Sequence, residues 1–387
     1  MNQVVKEFVD FVVSDVCPQH DKAKVKSAVQ EKFSLVADRS VFYCDYFAVR
    51  ISYTKTKSFS NTVLSLSSLQ KYDSIPFFVV LVSAVDGNKV FLANTTFLSK
   101  ISHSSQQLAM TNIKGSFNGS DIIRVYQGIE NNAHNFQKLY AYHQAFSWND
   151  NLKRLVESTS GIVPTGKRLD INAEMRKKIY QSIERAKSFI ASTHFSELEF
   201  DLNTRVKKCA NSILVASHIE NVNIRGRLIE ALITSGDAER KMLMQVLAKE
   251  ESNLPIYDTK NGLGDYRVTF DNGDTYTDIK TKIVYLGSNP KAYNIDKFLE
   301  TMAEEKSVFF LYFIGIAETG ILNTILCSVY HKDLIAATIK QFQWAGRNSR
   351  GVTQFKGETL DKLLKNENFK NEIDIMQARK FIDTLID

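Results

Sequence analysis

The chain has 387 residues, a length that accommodates two domains, and 44% of the residues are hydrophobic while 24% are charged. This composition is typical of a folded globular protein and excludes a largely disordered or collagen-like chain. The 49 lysines and arginines exceed the 43 aspartates and glutamates by six. That mild excess permits an anionic partner without requiring one.

Membrane spans, a secretion signal and disulfides are all missing from the sequence pattern. The longest apolar runs, residues 75–85 and 308–317, are shorter than the ~20 residues that cross a bilayer. No charged leader followed by an apolar core stands at the amino terminus. The chain has four widely separated cysteines, at positions Cys17, Cys44, Cys209 and Cys327. We therefore expect a cytoplasmic protein with no membrane contact, whose thiols are reduced and mostly buried.

Residues 1–165 are predicted to form an α+β domain. Apolar residues at intervals of three and four predict amphipathic helices over residues 4–16 and 24–36. Strands are predicted where β-branched and aromatic residues lie between turn residues, over 46–53, 76–85 and 90–93. Helical sequence returns at 133–146. The glycine- and proline-containing segment 157–170 is the predicted linker to the next domain.

Residues 166–387 are predicted to form a second domain with an α/β core. Three helices are predicted first, over 171–191, 225–235 and 238–250. Strands and helices then alternate, with strands over 265–270, 275–286 and 308–316 and helices over 294–305 and 332–342. The expected fold is mixed α/β, in which a central mixed sheet follows a separate amino-terminal domain.

A hairpin in the second domain is predicted to bring charged side chains together. The dipeptide Asn272-Gly273 lies between two strand-like runs and is typical of a type I′ turn, in which both central residues have positive φ. With these two residues as the loop, Asp265 faces Lys280 on the opposite strand. Asp278 lies diagonally across from Asp265 on the same face. Turn and spacing therefore predict two carboxylates and one ammonium in one small patch.

This patch has the chemistry of a phosphodiesterase. Two carboxylates directed at one place repel each other unless a cation lies between them, and hard oxygen ligands suit Mg²⁺. A lysine beside such an ion can orient or help to deprotonate an attacking water and can stabilise charge on a phosphate. The sequence has no glycine-rich phosphate loop, no grouped metal-binding histidines and no nucleophile elbow.

The hairpin resembles the signature of the PD-(D/E)XK nuclease superfamily, which places an acid on one strand and an acid-x-Lys on the next. The matching residues here are Gly264-Asp265-Tyr266 and Asp278-Ile279-Lys280. The family usually has proline before the first acid, where this chain has glycine. The order of helix, hairpin, helix and apolar strand over residues 224–316 also fits the family's α/β core.

The resemblance implies roles for individual residues. Asp265, Asp278 and the carbonyl of Ile279 would bind Mg²⁺. Lys280 would be catalytic, and Glu230 on the preceding helix would be an auxiliary catalytic residue. The resemblance also implies a restriction-endonuclease-like core for the carboxy-terminal domain and cleavage that leaves 5′-phosphate ends.

A purely structural hairpin is the alternative explanation of the charged patch. Cross-strand salt bridges would account for Asp265 and Lys280 without any catalysis. Ile279, Ile283 and Tyr285, however, give the opposite face an apolar character. That pattern favours a core hairpin over a surface one, with the charged residues gathered on its other face.

Two stretches without acidic residues, 87–120 and 334–357, are candidate DNA contacts because their local potential is positive. Arginine pairs with guanine, asparagine and glutamine pair with adenine, and lysine contacts phosphates. The candidates in the second stretch are Gln343, Arg347, Asn348, Arg350, Gln354 and Lys356. The amino-terminal domain contributes Lys100 and Lys114 and is the candidate DNA-recognition domain. A solvated basic loop is the alternative.

The sequence therefore predicts a Mg²⁺-dependent endodeoxyribonuclease that cleaves double-stranded DNA at a specific site, as type II restriction endonucleases do. Cutting both strands at one site usually needs two active sites, so a homodimer is expected. Two other hypotheses remain open. One is a repair or recombination nuclease of the same fold that recognises DNA structure, and the other is a non-catalytic DNA-binding protein.

Overall fold

The computed structural model of the chain describes residues 2–56, 58–59, 62–104, 115–163, 168–219, 222–248, 263–284, 286–341 and 349–387. These residues form two compact units, one within 2–163 and one made of 168–341 and 349–387. The predicted boundary between residues 165 and 166 falls in the interval between them. Helices make up 46% and strands 25% of the described residues. The expected mixed α/β fold is therefore confirmed.

Among its described residues, the amino-terminal unit has five α-helices and ten strands, and most of the strands are short. Its helices are α1 (Gln3–Val13), α2 (Lys22–Lys32), α3 (Leu66–Gln70), α4 (Phe136–His143) and α5 (Trp148–Ser160). Its strands are β1 (Val36–Asp38), β2 (Val41–Tyr43), β3 (Ala48–Thr54), β4 (Thr62–Ser65), β5 (Phe77–Ser83), β6 (Lys89–Leu92), β7 (His103–Ser104), β8 (Gly115–Asn118), β9 (Val125–Tyr126) and β10 (Ile129–Glu130). Each element predicted in this unit is present, with ends that differ by a few residues.

The main sheet of this unit has five strands in the order β1-β2-β3-β5-β6. β3 and β5 are parallel, and the other neighbours are antiparallel. Every residue of β5 is buried because apolar clusters cover both faces. Phe78 and Val80 belong to one cluster, while Phe77 and Val79 belong to the other. A continuous apolar run is the pattern expected of a strand that is covered on both sides.

The carboxy-terminal unit contains nine α-helices and seven strands among its described residues. Its helices are α6 (Ala173–Ile190), α7 (Thr193–Lys208), α8 (Ala210–Ser217), α9 (Val222–Thr234), α10 (Asp237–Ala248), α11 (Ile295–Met302), α12 (Lys332–Ala337), α13 (Gly357–Leu364) and α14 (Ile375–Ile386). Its strands are β11 (Tyr266–Phe270), β12 (Gly273–Ile283), β13 (Lys291–Asn294), β14 (Ser307–Ala317), β15 (Gly320–Ser328), β16 (Thr338–Gln341) and β17 (Val352–Phe355).

A four-stranded mixed sheet in the order β11-β12-β14-β15 lies at the centre of this unit. β12 and β14 are parallel and are joined through α11, while the other two pairs are antiparallel. Ten of the eleven residues of β14 are buried, which makes this strand the apolar centre of the sheet. The expected central mixed sheet, with its helix, hairpin, helix and apolar strand, is therefore present.

One predicted helix in this unit is wrong over its second half. The helix expected over residues 332–342 ends at Ala337, and Thr338–Gln341 form β16, which pairs antiparallel with β17. Thr338 and Ile339 are β-branched and suit a strand. Their partners on β17 are Phe355 and Gln354. Those partners lie far along the chain, so the local sequence pattern could not reveal the pairing.

The hairpin between β11 and β12 has a different turn from the predicted one. Phe270 pairs with Gly273, so the loop residues are Asp271 and Asn272, and neither Asn272 nor Gly273 has positive φ. The prediction of a type I′ turn is therefore wrong. A Cβ atom on Gly273 would lie 3.3 Å from Cδ2 of Phe189. Gly273 thus serves close packing within the strand rather than a left-handed turn.

This change of turn shifts the strand pairing by two residues. Extending the observed register by one residue places Asp265 opposite Asp278, where Lys280 had been expected. Side chains alternate between the two faces of a strand with a period of two. A shift of two residues therefore leaves Asp265, Asp278 and Lys280 on one face, which is why the predicted patch survives the wrong turn.

Two expectations about the whole chain can also be compared with the structure. All four cysteines are free, and Cys17, Cys209 and Cys327 are buried, which confirms mostly buried thiols. Among the residues that the structure describes, no helix has both the length and the apolar character needed to span a membrane.

Candidate active site

The candidate active site lies where β12 continues beyond the first residue of β11. The Asp265 N–H donates to the Thr277 carbonyl at 2.8 Å and so continues the strand pairing by one residue. Oδ2 of the Asp265 side chain then accepts a hydrogen bond from the Ile279 N–H, also at 2.8 Å. The carboxylate takes the place of the backbone partner that β11 no longer supplies. Asp265 is thereby fixed at this edge of the sheet.

Lys280 connects the two carboxylates. Its Nζ atom lies 3.2 Å from Oδ2 of Asp278 and 4.0 Å from Oδ2 of Asp265. The three side chains are largely shielded from solvent, with exposed fractions of 19% for Lys280, 18% for Asp265 and 9% for Asp278. The predicted gathering of two carboxylates and one ammonium is confirmed by these distances. The catalytic and metal-binding roles of the three residues stay predictions.

The backbone of Gly264 contacts the Asp278 carboxylate. Its conformation also explains why proline is absent at this position. Its N–H donates to Oδ1 of Asp278 at 3.1 Å, and its φ is +79°. A Cβ atom would lie 3.0 Å from Cβ of Tyr276 and 3.1 Å from the Thr277 nitrogen. Proline has φ near −65° and no N–H. The backbone at this position therefore cannot accommodate proline.

The charges around Lys280 keep it protonated. Burial by itself lowers the pKa of Lys280, but the carboxylates of Asp278 and Asp265 raise it, and the charge of Glu230 adds to them. The net effect is a pKa above the ordinary value, so Lys280 is an ammonium at neutral pH. Glu230 lies on α9, which packs against β12. The structure thus brings the predicted auxiliary acid into the electrostatic surroundings of Lys280.

The oxygen atoms at this edge are hard donors of the kind that Mg²⁺ prefers. The N–H and C=O of one strand residue point to the same side, so the Ile279 carbonyl is directed to the edge where its N–H meets Asp265. Two carboxylates and a carbonyl are hard donors, and Mg²⁺ is commonly bound by one or two carboxylates plus waters and phosphate oxygens. Among the described residues, no group of three His, Cys, Asp or Glu side chains is placed to hold a metal ion.

Two residues near the candidate site were missed in the sequence. Lys282 is 1% exposed, and its Nζ atom lies 3.4 Å from Oδ1 of Asp361 on α13. Lys282 follows Lys280 at the same spacing of two residues that separates Lys280 from Asp278. That spacing could have indicated that it lies on the same face of β12. Tyr293 is buried, and burial first, then the nearby Tyr330 and last the charge of Asp278 raise its pKa.

Arg350 belongs to the structural framework rather than to a free loop. Its side chain is 8% exposed, and its Nη1 atom lies 2.7 Å from Oδ1 of Asp296. Its guanidinium also donates to the carbonyls of Leu169 and Ile386, at 2.9 Å each. These contacts connect the start of the unit, α11 and the end of α14. The prediction that this side chain is free to reach a DNA groove is wrong.

The other candidate DNA contacts differ in whether their side chains already contact other residues of the protein. Gln354 lies in β17, where it donates to the Asn289 carbonyl at 2.6 Å and accepts from Gln341. Lys100 lies 3.9 Å from Oδ1 of the buried Asp121. Lys356 is exposed and stays a candidate phosphate contact. Four candidates lie outside the described residues, namely Gln343, Arg347, Asn348 and Lys114.

Comparisons of this chain with protein-family models, with curated proteins and with solved structures give no match. The interpretation of the site therefore depends on its own geometry and on the sequence motif that it contains.

We expect replacement of Gly264 by alanine to lower the free energy of unfolding by about 2 kcal/mol, because a non-glycine residue at positive φ is strained and the new Cβ meets the backbone of β12. Urea unfolding of the purified variants measures this change. Gly226→Ala is the matched control, since a Cβ at that position in α9 meets no atom within 4 Å. An equal effect of the two substitutions would contradict the strain argument.

Replacement of Arg350 by methionine is expected to destabilise the protein by about 3 kcal/mol, because it removes one partner of a largely buried ion pair. Denaturant unfolding at neutral pH tests this. Lys356→Met removes a charge from an exposed position nearby in the sequence, and its effect is expected to stay within about 0.5 kcal/mol. If the two variants unfold alike, Arg350 has no structural role and returns to the candidate DNA contacts.

Proposed function

We propose that this chain is a Mg²⁺-dependent endodeoxyribonuclease that hydrolyses phosphodiester bonds of duplex DNA at a specific site. The observation that carries this proposal is the position of the Lys280 ammonium beside two carboxylates, 3.2 Å from Asp278 on the same strand and 4.0 Å from Asp265 directly before β11. The order of these three residues along the chain resembles the PD-(D/E)XK signature. The type II restriction activity and the homodimer follow from that resemblance.

Each residue of the cluster has a definite task in this proposal. Asp265 and Asp278 are the metal ligands, together with the Ile279 carbonyl. When bound, Mg²⁺ supplies electrostatic stabilisation of negative charge on the phosphate oxygens. The Ile279 N–H orients the Asp265 carboxylate, and the Gly264 N–H orients that of Asp278. These backbone contacts hold the ligands in place before the substrate arrives, which reduces the reorganisation needed during reaction.

Lys280 acts as a hydrogen-bond donor and a positive charge. Its Nζ atom lies beside both proposed metal ligands, so in this proposal it orients the attacking water and neutralises charge on the phosphate. The water oxygen bonds to phosphorus while the bond to the 3′ oxygen breaks. The products are a 5′-phosphate and a 3′-hydroxyl, and the proton lost by the water is balanced by the one that the 3′ oxygen gains.

A non-catalytic DNA-binding protein is the second candidate, and one observation favours it. Lys280 lies close to both carboxylates, so the cluster can be stable as a purely structural salt bridge. The two functions differ in whether the chain turns over DNA when Mg²⁺ is added.

Asp278→Asn and Lys280→Met are expected to lower the rate of DNA cleavage in Mg²⁺ by at least about 100-fold, because each removes a group that contacts the reacting phosphate or its metal. DNA binding measured in EDTA should change by only a few-fold. The control is Asp271→Asn, which removes an exposed carboxylate from the turn of the same hairpin and should leave cleavage unchanged.

The substrate for this test is a panel of mapped duplex DNA, unmethylated and methylated, together with branched and mismatched DNA. Discrete fragments support the restriction enzyme, and cleavage confined to branched or mismatched DNA supports the structure-specific repair nuclease. If the wild-type protein binds DNA but cleaves none of it, the non-catalytic function replaces the proposal. Full activity of Asp278→Asn would show that the chemistry takes place elsewhere.

A further inference from the structure

A pocket in the amino-terminal unit has no part in the proposed nuclease chemistry. It lies between the loop that follows α3 and the carboxy-terminal end of α4, and its volume is about 400 Å³. Volumes of this size are within the range of small-molecule sites, about 300–1,000 Å³. Three aromatic residues line it, namely Tyr140, Phe146 and Trp148. The Phe146 side chain is 42% exposed, so a large apolar ring faces solvent beside an open cavity.

The polar side chains at the floor of the pocket already form hydrogen bonds within the protein. Asp73 and His143 line it and are only 6% and 5% exposed. The Asp73 carboxylate accepts from the Thr95 N–H at 2.8 Å and from the Thr95 hydroxyl. The His143 Nε2 atom lies 2.6 Å from the Asp73 carbonyl, and its Nδ1 atom lies 2.7 Å from the Thr96 hydroxyl. This network fixes the floor.

The charge of the pocket disfavours an anionic ligand. None of the described residues that line it is a lysine or an arginine, whereas the Asp73 carboxylate contributes a negative charge. A phosphate or another small anion would therefore be repelled. A neutral ligand with a flat face is favoured instead.

Two primary amides at the pocket are available for hydrogen bonds. Gln70 and Gln144 line it and are exposed. Neither side chain makes a hydrogen bond to another described residue. A glutamine amide presents a donor and an acceptor side by side, and this arrangement pairs with the edge of a nucleobase, as glutamine does with adenine. The pocket thus combines flat aromatic walls with amides that can recognise the edge of a heterocycle.

We propose that this pocket binds a single nucleobase that has left the base stack of DNA. The proposal rests on the nuclease function proposed above, which supplies DNA as the ligand. Aromatic side chains stack on unpaired bases in a way that tolerates different sequences. Enzymes that read a base outside the helix use stacking together with hydrogen bonds to the base edge. The amino-terminal unit would then sense a base directly, in addition to any phosphate contacts.

The test compares DNA binding by pocket variants. Phe146→Ala and Gln144→Ala are expected to weaken binding of a fluorescein-labelled single-stranded oligonucleotide, measured by anisotropy in EDTA, by about tenfold for the aromatic substitution. The matched control is Tyr142→Ala. Tyr142 lies in α4, two residues before Gln144, is 39% exposed and is not among the residues that line the pocket. Circular dichroism confirms that each variant is folded.

Photocrosslinking identifies the contact independently. An oligonucleotide that contains 5-iodouracil is irradiated with the protein, and the modified peptide is mapped. A crosslink to Phe146 or Trp148 is expected, and its yield should fall in Gln144→Ala. Crosslinks confined to other peptides, together with unchanged affinity of both variants, would overturn the pocket proposal and leave the nuclease proposal intact.

Free nucleosides separate the two possible sources of the base. If the wild-type protein binds no DNA but deoxyadenosine changes its tryptophan fluorescence and Phe146→Ala abolishes that change, the ligand is a free nucleoside. The claim that it is a base in DNA is then wrong, and the nuclease function fails with it. If neither oligonucleotide nor nucleoside binds, the pocket proposal is rejected whatever the cleavage assay gives.

Discussion

The candidate site depends on the contact of one ammonium with two carboxylates. Asp265 directly precedes β11, Asp278 lies in the adjacent strand β12, and both are mostly shielded from solvent. Their charges would therefore repel strongly without a cation between them. Lys280 provides that cation from the same strand and the same face as Asp278. The pair on β12 is therefore set by local spacing, whereas Asp265 reaches it only because the chain reverses and β11 pairs with β12.

Unequal strand lengths create the edge at which these groups meet. β11 begins at Tyr266, whereas β12 continues to Ile283. Beyond Thr277, the edge of β12 that faces β11 therefore has no partner strand, although its other edge still pairs with β14. An unpaired N–H on a partly buried strand is costly. The Asp265 carboxylate accepts the hydrogen bond of Ile279 and removes that cost. The same arrangement collects oxygen atoms at one place, so the end of a strand pairing becomes a candidate metal site.

The absence of acidic residues in a stretch of sequence did not reliably predict which basic side chains are free to bind DNA. Arg350 lies in a stretch without acidic residues, but its partner Asp296 comes from 54 positions earlier in the chain. Lys100 similarly approaches Asp121, at the far end of another such stretch. A count of nearby charges in sequence cannot detect partners that the fold brings in from a distance. In the amino-terminal unit, the pocket beside α4 combines residues from two separate segments for the same reason.

The sequence by itself determined the mixed α/β composition, the central strands β5, β12 and β14 and the face shared by Asp265, Asp278 and Lys280. It could do so because the side-chain period of a strand is two and because apolar residues mark the opposite face, as Ile279 and Ile283 do. The tertiary structure alone decided the rest. The turn has Asp271 and Asn272 as its loop residues, and Gly264 has a positive φ beside the backbone of β12. Lys282 and Arg350 have their partners on distant helices. These features depend on contacts between residues far apart in the chain, which a local pattern does not contain.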